Sequence, residues 1–144
     1  MSEAAAHEPG MPKHGEFCWA EIATNDLDAC REFYINVFGW EIPENKTGSD
    51  GLDYQEFGHP GEYPMGGMYD MKDIFGDGAP PPHFVNYIAV DDIDETAARV
   101  EGLGGVCLHP IKEIPHVGRM VTVKDPTGAV VTLITLMGGA DHHG

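Results

Sequence analysis

The chain is poor in the residues that build disulfide frameworks, zinc knuckles and serine nucleophile sites. Its 144 residues include three cysteines, Cys18, Cys30 and Cys107, an odd number without CxxC spacing. This set excludes a disulfide framework and a zinc ribbon. The serines are Ser2 and Ser49 alone, both in predicted loops, so no serine–histidine–aspartate arrangement is supported. We interpret the cysteines as free thiols in a reducing compartment.

Basic residues and long hydrophobic runs are also scarce. The sequence has 8 Lys and Arg residues but 24 Asp and Glu residues, which gives a formal charge of -16. Such a field repels nucleic acids and anionic membranes as partners. The longest apolar stretch, Ala129 to Met137, contains two threonines and is too short to span a bilayer. Residues 1–14 lack the apolar segment of a signal peptide, so we expect a soluble, cytoplasmic protein.

What the chain does have is an internal repeat. Residues 22–28 (IATNDLD) align with residues 88–94 (IAVDDID) at an offset of 66, and four of the seven positions are identical. The alignment continues without a gap to Gly39 and Gly105. Agreement over a strand, a turn, a helix and a closing glycine indicates two tandem copies of one structural module.

Each copy begins with an alternating strand, Phe17–Ala23 or Phe84–Val90, followed by an amphipathic helix. Gly39 and Gly105 are placed to end those helices in the left-handed conformation. The predicted N-caps are Asn25 or Asp26 in the first copy, and Asp91 or Asp92 in the second. Further short strands are predicted at 39–43, 52–58, 66–71, 106–111, 119–124 and 130–136.

The repeat sets the predicted domain organisation. We place a first βαβββ module at residues 16–80 and a second at 83–138, joined by a proline-rich linker at 76–82. Residues 1–15 and 139–144 are predicted to be disordered N-terminal and C-terminal tails. A βαβββ unit leaves one sheet face open for a second copy to cover, and this favours an α+β fold.

The residues of both copies resemble those of one known superfamily, which comprises glyoxalase, bleomycin-resistance and extradiol-dioxygenase (vicinal oxygen chelate) proteins. The resemblance covers about residues 16–137. It implies two tandem βαβββ modules that form a concave mixed sheet, a cavity for a small molecule, and a homodimer. It rests on Trp19-x-Glu21-Ile22-x-Thr24-x-Asp26, Phe33-Tyr34, Phe38-Gly39-Trp40, Val90-Asp91-Asp92, Gly104-Gly105, Gly118-Arg119 and Asp125-Pro126-Thr127-Gly128-Ala129.

The same resemblance implies where catalytic relatives hold a divalent metal. The corresponding positions here are Trp19, Val85, Thr132 and the segment Gly66–Met68. None of them is His or Glu, and these side chains do not make a divalent site. We therefore predict neither a metal site nor another cofactor, as in the metal-free members of the superfamily.

The candidate site centres on Glu21, which shares a strand face with Trp19, and on Tyr87, its counterpart at the 66-residue offset. Glu21 and Tyr87 are the candidate catalytic pair; the alternative is a solvated Glu21 paired with Arg31 or Arg119. The predicted ligand-binding residues are Trp19, Glu21, Tyr54, Glu56, Met65, Met68, Tyr87 and Thr132. The nearest grouping of metal-type side chains, His109, Glu113 and His116, is interpreted as surface loop.

Two functions compete on this evidence. One is a metal-free protein that binds a small, partly aromatic molecule, as in resistance or sequestration. The other is a lyase, isomerase or dioxygenase of the same fold that uses Glu and Tyr acid–base chemistry or a non-standard metal site. The missing ligands favour the first. The sequence does not identify the ligand, because the fold alone does not fix function.

Overall fold

The computed structural model describes residues 11–43 and 53–137. The structure contains one single-turn 3-10 helix within these residues, Gly76–Gly78. In chain order the other elements are β1 (Phe17–Thr24), α1 (Leu27–Phe38), β2 (Gln55–Phe57), β3 (Gly66–Asp70), α2 (Lys72–Phe75), β4 (His83–Ala89), α3 (Ile93–Gly102), β5 (Val106–Cys107), β6 (Lys112–Ile114), β7 (Gly118–Lys124) and β8 (Val130–Leu136).

The chain divides into two compact units. The first is Trp19–Val85, and the second joins the residues up to Cys18 to those from Asn86 onward. The predicted module boundaries stay predictions. Of the predicted tails, residues 1–10 and 139–144 lie outside the described residues, whereas Gly15 donates its N–H to Ala89 O at 2.7 Å.

Both units repeat the same strand pairing. In the first, β3 lies between an antiparallel β2 and a parallel β1. In the second, β8 lies between an antiparallel β7 and a parallel β4, while β5 and β6 both pair with β7. Each module therefore closes by returning its last strand beside its first. This confirms the duplication predicted from the 66-residue repeat.

The helix ends follow the predicted chemistry with one correction. Asp26 accepts from Ala29 N and Asp92 accepts from Glu95 N, each at 3.1 Å, so the second residue of each candidate pair is the N-cap. Gly39 ends α1 at φ 74. The prediction for Gly105 is wrong, because Gly104 takes the left-handed conformation at φ 96. A side chain at Gly105 would lie 2.7 Å from Lys124 O.

Three predicted strands are clearly shorter in the structure, and the one predicted at 52–58 is reduced to Gln55–Phe57. Residues 39–43 contribute only the isolated bridge of Glu41 to Gly58. The strand predicted at 106–111 stops at Cys107, because the Thr122 N–H donates to the His109 ring at 3.0 Å instead of to a backbone carbonyl. The short α2, within the predicted first module, was not predicted. Residue 52, the predicted start of the second strand, lies outside the described residues.

The two long helices, α1 and α3, each pack on one face of their own unit's strands. Under α1 the buried residues are Ile22, Ile42, Phe57 and Met68. Under α3 they are Val90, Ile93, Val121, Val123 and Leu133. Because successive strand residues point to opposite faces, the residues between these core positions lie on the face away from the helix. No helix within 11–43 or 53–137 is long and apolar enough to cross a membrane.

Candidate functional site

Three predicted site residues form a chain of hydrogen bonds on the face of the first unit that lies opposite α1. Trp19 Nε1 donates to Tyr54 OH at 2.7 Å, and Tyr54 OH donates to Glu21 Oε2 at 2.8 Å. All three side chains are partly exposed. The indole can only donate and an ionised carboxylate can only accept, so the direction of both bonds is fixed. This series of hydrogen bonds therefore ends at the Glu21 carboxylate, which acts as the acceptor.

Gly67 creates the space that Tyr54 occupies. It lies opposite Glu21 on β1 and opposite Glu56 on β2. A Cβ at Gly67 would lie 2.2 Å from Tyr54 Cε1 and 2.5 Å from Tyr54 OH, so any side chain there would displace the phenol. The sequence analysis missed this role, although a glycine inside a strand often marks a close approach.

Tyr69 packs against Tyr54, the middle residue of this hydrogen-bond series. Its ring stacks on Tyr54 with centroids 6.4 Å apart and planes 12° apart, and the residue is only 8% exposed. Burial, with a further contribution from the Glu21 charge, raises the pKa of Tyr69 to about 12. The phenol is therefore neutral at physiological pH and presents no second negative charge to Glu21. Tyr69 is not among the residues predicted from the sequence, although strand alternation from Gly67 places it on this face.

Glu56 and Met65 lie at the edge of the same unit. Glu56 is partly exposed and, with Glu41, His59 and Glu62, borders a cleft of about 90 Å³. Met65 directly precedes β3 and is 37% exposed. Glu56 lies opposite Gly67 in the β2–β3 ladder and so shares the face that carries Glu21. That Glu56 and Met65 bind a ligand stays a prediction.

Met68 is not brought to this face. It lies opposite Ile22 in the β1–β3 ladder and is 0% exposed. Its neighbours are the core residues beneath α1. Its position one residue from Gly67 reverses its direction. This corrects the placement expected from the sequence, because Met68 fills the core and cannot line the Glu21 face.

Tyr87 and Thr132 belong to the second unit. They lie opposite each other in the β4–β8 ladder, and Thr132 also lies opposite Thr122 on β7. The hydroxyls of Thr132 and Thr122 are 2.9 Å apart, and Tyr87 and Thr132 are both buried. The structure therefore brings these two predicted residues together in a polar row. That Tyr87 faces Glu21 stays a prediction.

The basic residues considered as partners of Glu21 have other contacts. Arg119 forms an exposed ion pair with Asp94 at 2.7 Å, and Arg31 donates to Ile42 O at 2.6 Å. The Arg119 guanidinium holds the pKa of Asp94 below its usual range. Arg119 is thereby held at the start of α3, and Arg31 at the segment that follows α1.

The residues at the superfamily's metal positions do not fit a divalent ion. The Trp19 N–H is engaged by Tyr54, and the Thr132 hydroxyl is buried against Thr122. His109 Nε2 accepts the Thr122 N–H. Within the described parts of the chain, no group of three or more His, Cys, Asp or Glu side chains is placed to hold a metal ion.

The family model and the named relatives that match this sequence agree on one superfamily. Residues 17–133 match the Glyoxalase/Bleomycin resistance protein/Dioxygenase superfamily. The glyoxylase-named protein CFP32 of Mycobacterium tuberculosis is 34% identical over 141 residues, covering 85% of this chain and 48% of CFP32. The anthracycline biosynthesis protein DnrV of Streptomyces peucetius is 28% identical over 135 residues, covering 84% and 45%. The chain thus spans about half the length of these curated relatives.

Solved structures confirm the fold class. Methylmalonyl-CoA epimerase from Mycobacterium tuberculosis superposes with a TM-score of 0.59 at 17% identity, covering 85% of this chain and 87% of that one. At this identity the similarity concerns the fold alone. The α+β architecture of two tandem βαβββ modules is therefore confirmed, and this chain belongs to the Glyoxalase/Bleomycin resistance protein/Dioxygenase superfamily.

Proposed function

We propose that the face bearing Trp19, Tyr54 and Glu21 binds a small, partly aromatic molecule without a metal. The observation that carries this proposal is the chain of hydrogen bonds that ends at Glu21. It holds a partly exposed carboxylate in a fixed direction beside two aromatic rings. Aromatic surfaces with one oriented polar group are typical of small-molecule sites.

The chemistry of the site favours a ligand that carries a cation or a hydrogen-bond donor. Glu21 is the acceptor at the end of the chain, so a donor group on the ligand would form a charge-assisted bond to it. The indole of Trp19 and the phenol of Tyr54 offer flat apolar surfaces for an aromatic portion. The relative DnrV is named for anthracycline biosynthesis, and anthracyclines are polycyclic aromatic compounds, which supports an aromatic ligand.

The Tyr54–Glu21 contact also supports a second candidate function. A phenol and a carboxylate 2.8 Å apart are within the distance of direct proton transfer. An enzyme of this fold could use Glu21 as a base and Tyr54 or the predicted Tyr87 as an acid. In that case the bound molecule would exchange a carbon-bound proton, whereas a binding protein would leave it unchanged.

A titration with two aromatic probes tests the proposal. Daunorubicin combines a planar aromatic system with an ammonium group, and anthraquinone-2-sulfonate offers a similar plane with an anion. We expect calorimetry to show tighter binding of daunorubicin. Glu21→Gln should weaken it by at least about tenfold, since hydrogen bonds to charged groups contribute about 1.5–3 kcal/mol. Glu95→Gln, at an exposed position on α3 of the second unit and not on the proposed face, is the matched control.

The outcomes separate the two candidates. Equal binding of both probes, or a Glu21→Gln variant that binds daunorubicin as tightly as the wild type, contradicts the proposed site. Daunorubicin incubated with the protein in D₂O is then returned to H₂O, which removes deuterium from its O–H and N–H groups, and its mass is measured against a sample incubated without protein. An unchanged mass supports the binding protein, and deuterium at a carbon position supports the enzyme.

A further inference from the structure

The outer strand of the second unit is interrupted by extra residues. Along β7, β5 ends opposite Val123 and β6 begins opposite Met120. The outer strand therefore uses the four residues 108–111 where β7 has two, Val121 and Thr122. We call residues 108–111 the edge bulge. Bulges of this kind redirect side chains at the edge of a sheet.

A histidine ring holds the edge bulge against β7. Leu108 N donates to Thr122 O at 2.8 Å, as in a regular antiparallel ladder. The second bond of such a pair runs from Thr122 N to Leu108 O. Instead, Thr122 N donates to Nε2 of His109 at 3.0 Å. The His109 side chain thus takes the place of a main-chain carbonyl.

The bonds of His109 require one neutral form of its ring. Nε2 accepts and so carries no hydrogen, while Nδ1 lies 2.6 Å from Pro110 O, which can only accept. The ring is therefore the tautomer with its hydrogen on Nδ1. A protonated imidazole carries hydrogen on both nitrogens and would turn an N–H toward the N–H of Thr122. Protonation of His109 and its bond to Thr122 therefore exclude each other.

We propose that His109 is a pH-sensitive latch of the edge bulge. The neutral ring accepts the Thr122 N–H, and β5 stops at Cys107. The protonated ring turns out to water, Thr122 N donates to Leu108 O, and β5 gains one residue. Because the latched form requires the neutral ring, it is complete at higher pH and is lost as the pH falls. Histidine is the side chain whose charge ordinarily changes between pH 5 and 8.

The charges near the edge bulge leave this hydrogen bond to decide the response. Glu101 on α3 accepts the Cys107 N–H at 3.4 Å, and Glu113 on β6 lies opposite Arg119 on β7. The charged or titratable groups nearest the bulge on the adjoining elements are Cys107, Glu101, Glu113, Lys112, Arg119 and Lys124. The five charged groups are exposed and of both signs, so their fields are screened and largely offset each other.

His14 shows that accepting a backbone N–H does not by itself make a latch. Its Nδ1 accepts Asp91 N at 2.9 Å, and the same nitrogen lies 4.0 Å from the Asp91 carboxylate. Protonated His14 can turn to that carboxylate and exchange a hydrogen bond for an ion pair. Within the described residues, His109 bonds to Thr122 and Pro110, which are uncharged. The uncompensated response is therefore at His109.

Thr122 connects the latch to the polar row of the second unit. Its hydroxyl lies 2.9 Å from that of Thr132, which lies opposite Tyr87. The residue whose N–H changes partner therefore also holds a predicted site residue. This inference goes beyond the proposed function, which uses the face of the first unit.

Nuclear magnetic resonance of the full chain tests the latch. At pH 8 we expect long-range ¹H–¹⁵N spectra to show His109 with its hydrogen on Nδ1. Between pH 8 and pH 5 the Thr122 amide signal should move with the same midpoint as the His109 ring signals. The Leu108 amide should keep its protection from hydrogen exchange, corrected for the intrinsic rate, within about threefold, because its bond to Thr122 O is retained.

Two variants separate the latch from general effects of acid. His109→Gln offers an amide oxygen that accepts at any pH in this range, so the Thr122 signal should no longer follow the pH. His116→Gln, which changes an exposed histidine between β6 and β7, should respond as the wild type does. Circular dichroism establishes that each variant is folded, and the wild-type measurements hold without them.

Four results overturn the proposal. The first is a neutral His109 with its hydrogen on Nε2, and the second is a Thr122 signal that does not follow the His109 titration. The third is a folded His109→Gln variant in which the Thr122 signal still titrates as in the wild type. The fourth is a loss of Leu108 protection of more than about threefold at pH 5, because the edge bulge would then detach from β7 and not pair anew.

Discussion

Replacing Tyr54 by phenylalanine removes the hydroxyl that joins Trp19 to Glu21 and changes little else. The hydroxyl accepts from the indole at 2.7 Å and donates to the carboxylate at 2.8 Å. A neutral hydrogen bond contributes about 0.5–1.5 kcal/mol and one to a charged group about 1.5–3 kcal/mol. Because all three side chains are partly exposed, water offsets part of the loss. We expect the free energy of unfolding to fall by about 2 kcal/mol.

Urea unfolding followed by circular dichroism measures this loss, with Tyr63→Phe as the exposed control. Of the two hydrogen bonds, Trp19→Phe removes the one to Tyr54 and leaves the one to Glu21, and because Trp19 is partly exposed the smaller ring should cost less than the loss of both bonds. The double variant Trp19→Phe/Tyr54→Phe should then cost less than the sum, with a coupling of about 0.5–1.5 kcal/mol. A Tyr54→Phe variant within 0.5 kcal/mol of the wild type, or strictly additive variants, would refute the reasoning.

Three further predictions concern residues that neighbour the hydrogen bonds between Trp19, Tyr54 and Glu21. Gly67→Ala should lower the free energy of unfolding by about 1–3 kcal/mol because the added carbon overlaps Tyr54, whereas Gly78→Ala, which meets nothing within 4 Å, should be near neutral in the same urea assay. Met68→Ala should cost about 2–5 kcal/mol as a core cavity and the exposed Met65→Ala under about 1 kcal/mol; equal losses would contradict the assignment of faces. The pKa of Tyr69 is raised to about 12, above about 10 in the unfolded chain, so the stability it contributes is complete below pH 10 and is lost as pH rises from 10 to 12. Tyr69→Phe should flatten that fall in unfolding free energy, and an unchanged slope would argue against a buried, neutral phenol.

The fold could be predicted from the sequence because both copies carry the same local signals for helix starts and ends. Asp26 and Asp92 cap equivalent helices, and Gly39 ends the first one. Those signals depend only on near neighbours along the chain. That Gly104 and not Gly105 takes the left-handed conformation could not be predicted from the sequence. It depends on the backbone of Lys124, which passes close to Gly105.

The site was only partly predictable for the same reason. Alternation on one strand placed Trp19 and Glu21 together, but it did not show that Tyr54 joins them or that Gly67 makes room for its ring. Those facts depend on the register between three strands. The prediction that Met68 lines the Glu21 face was wrong. The side of the sheet to which a side chain points depends on the strand register, and a shift of one residue moves it to the opposite face.

Nuclear magnetic resonance of the two tryptophan indoles tests the central claim most directly. Trp19 donates to Tyr54 on the proposed binding face, while Trp40 stacks on Phe57 at 4.4 Å in the aromatic cluster beside α1. In ¹⁵N-labelled protein the two indole N–H signals are assigned with Trp19→Phe. On titration with daunorubicin, the account predicts a saturable shift of the Trp19 signal while that of Trp40 stays in place. A shift confined to Trp40, or two signals that both remain unmoved at saturating probe, would contradict it.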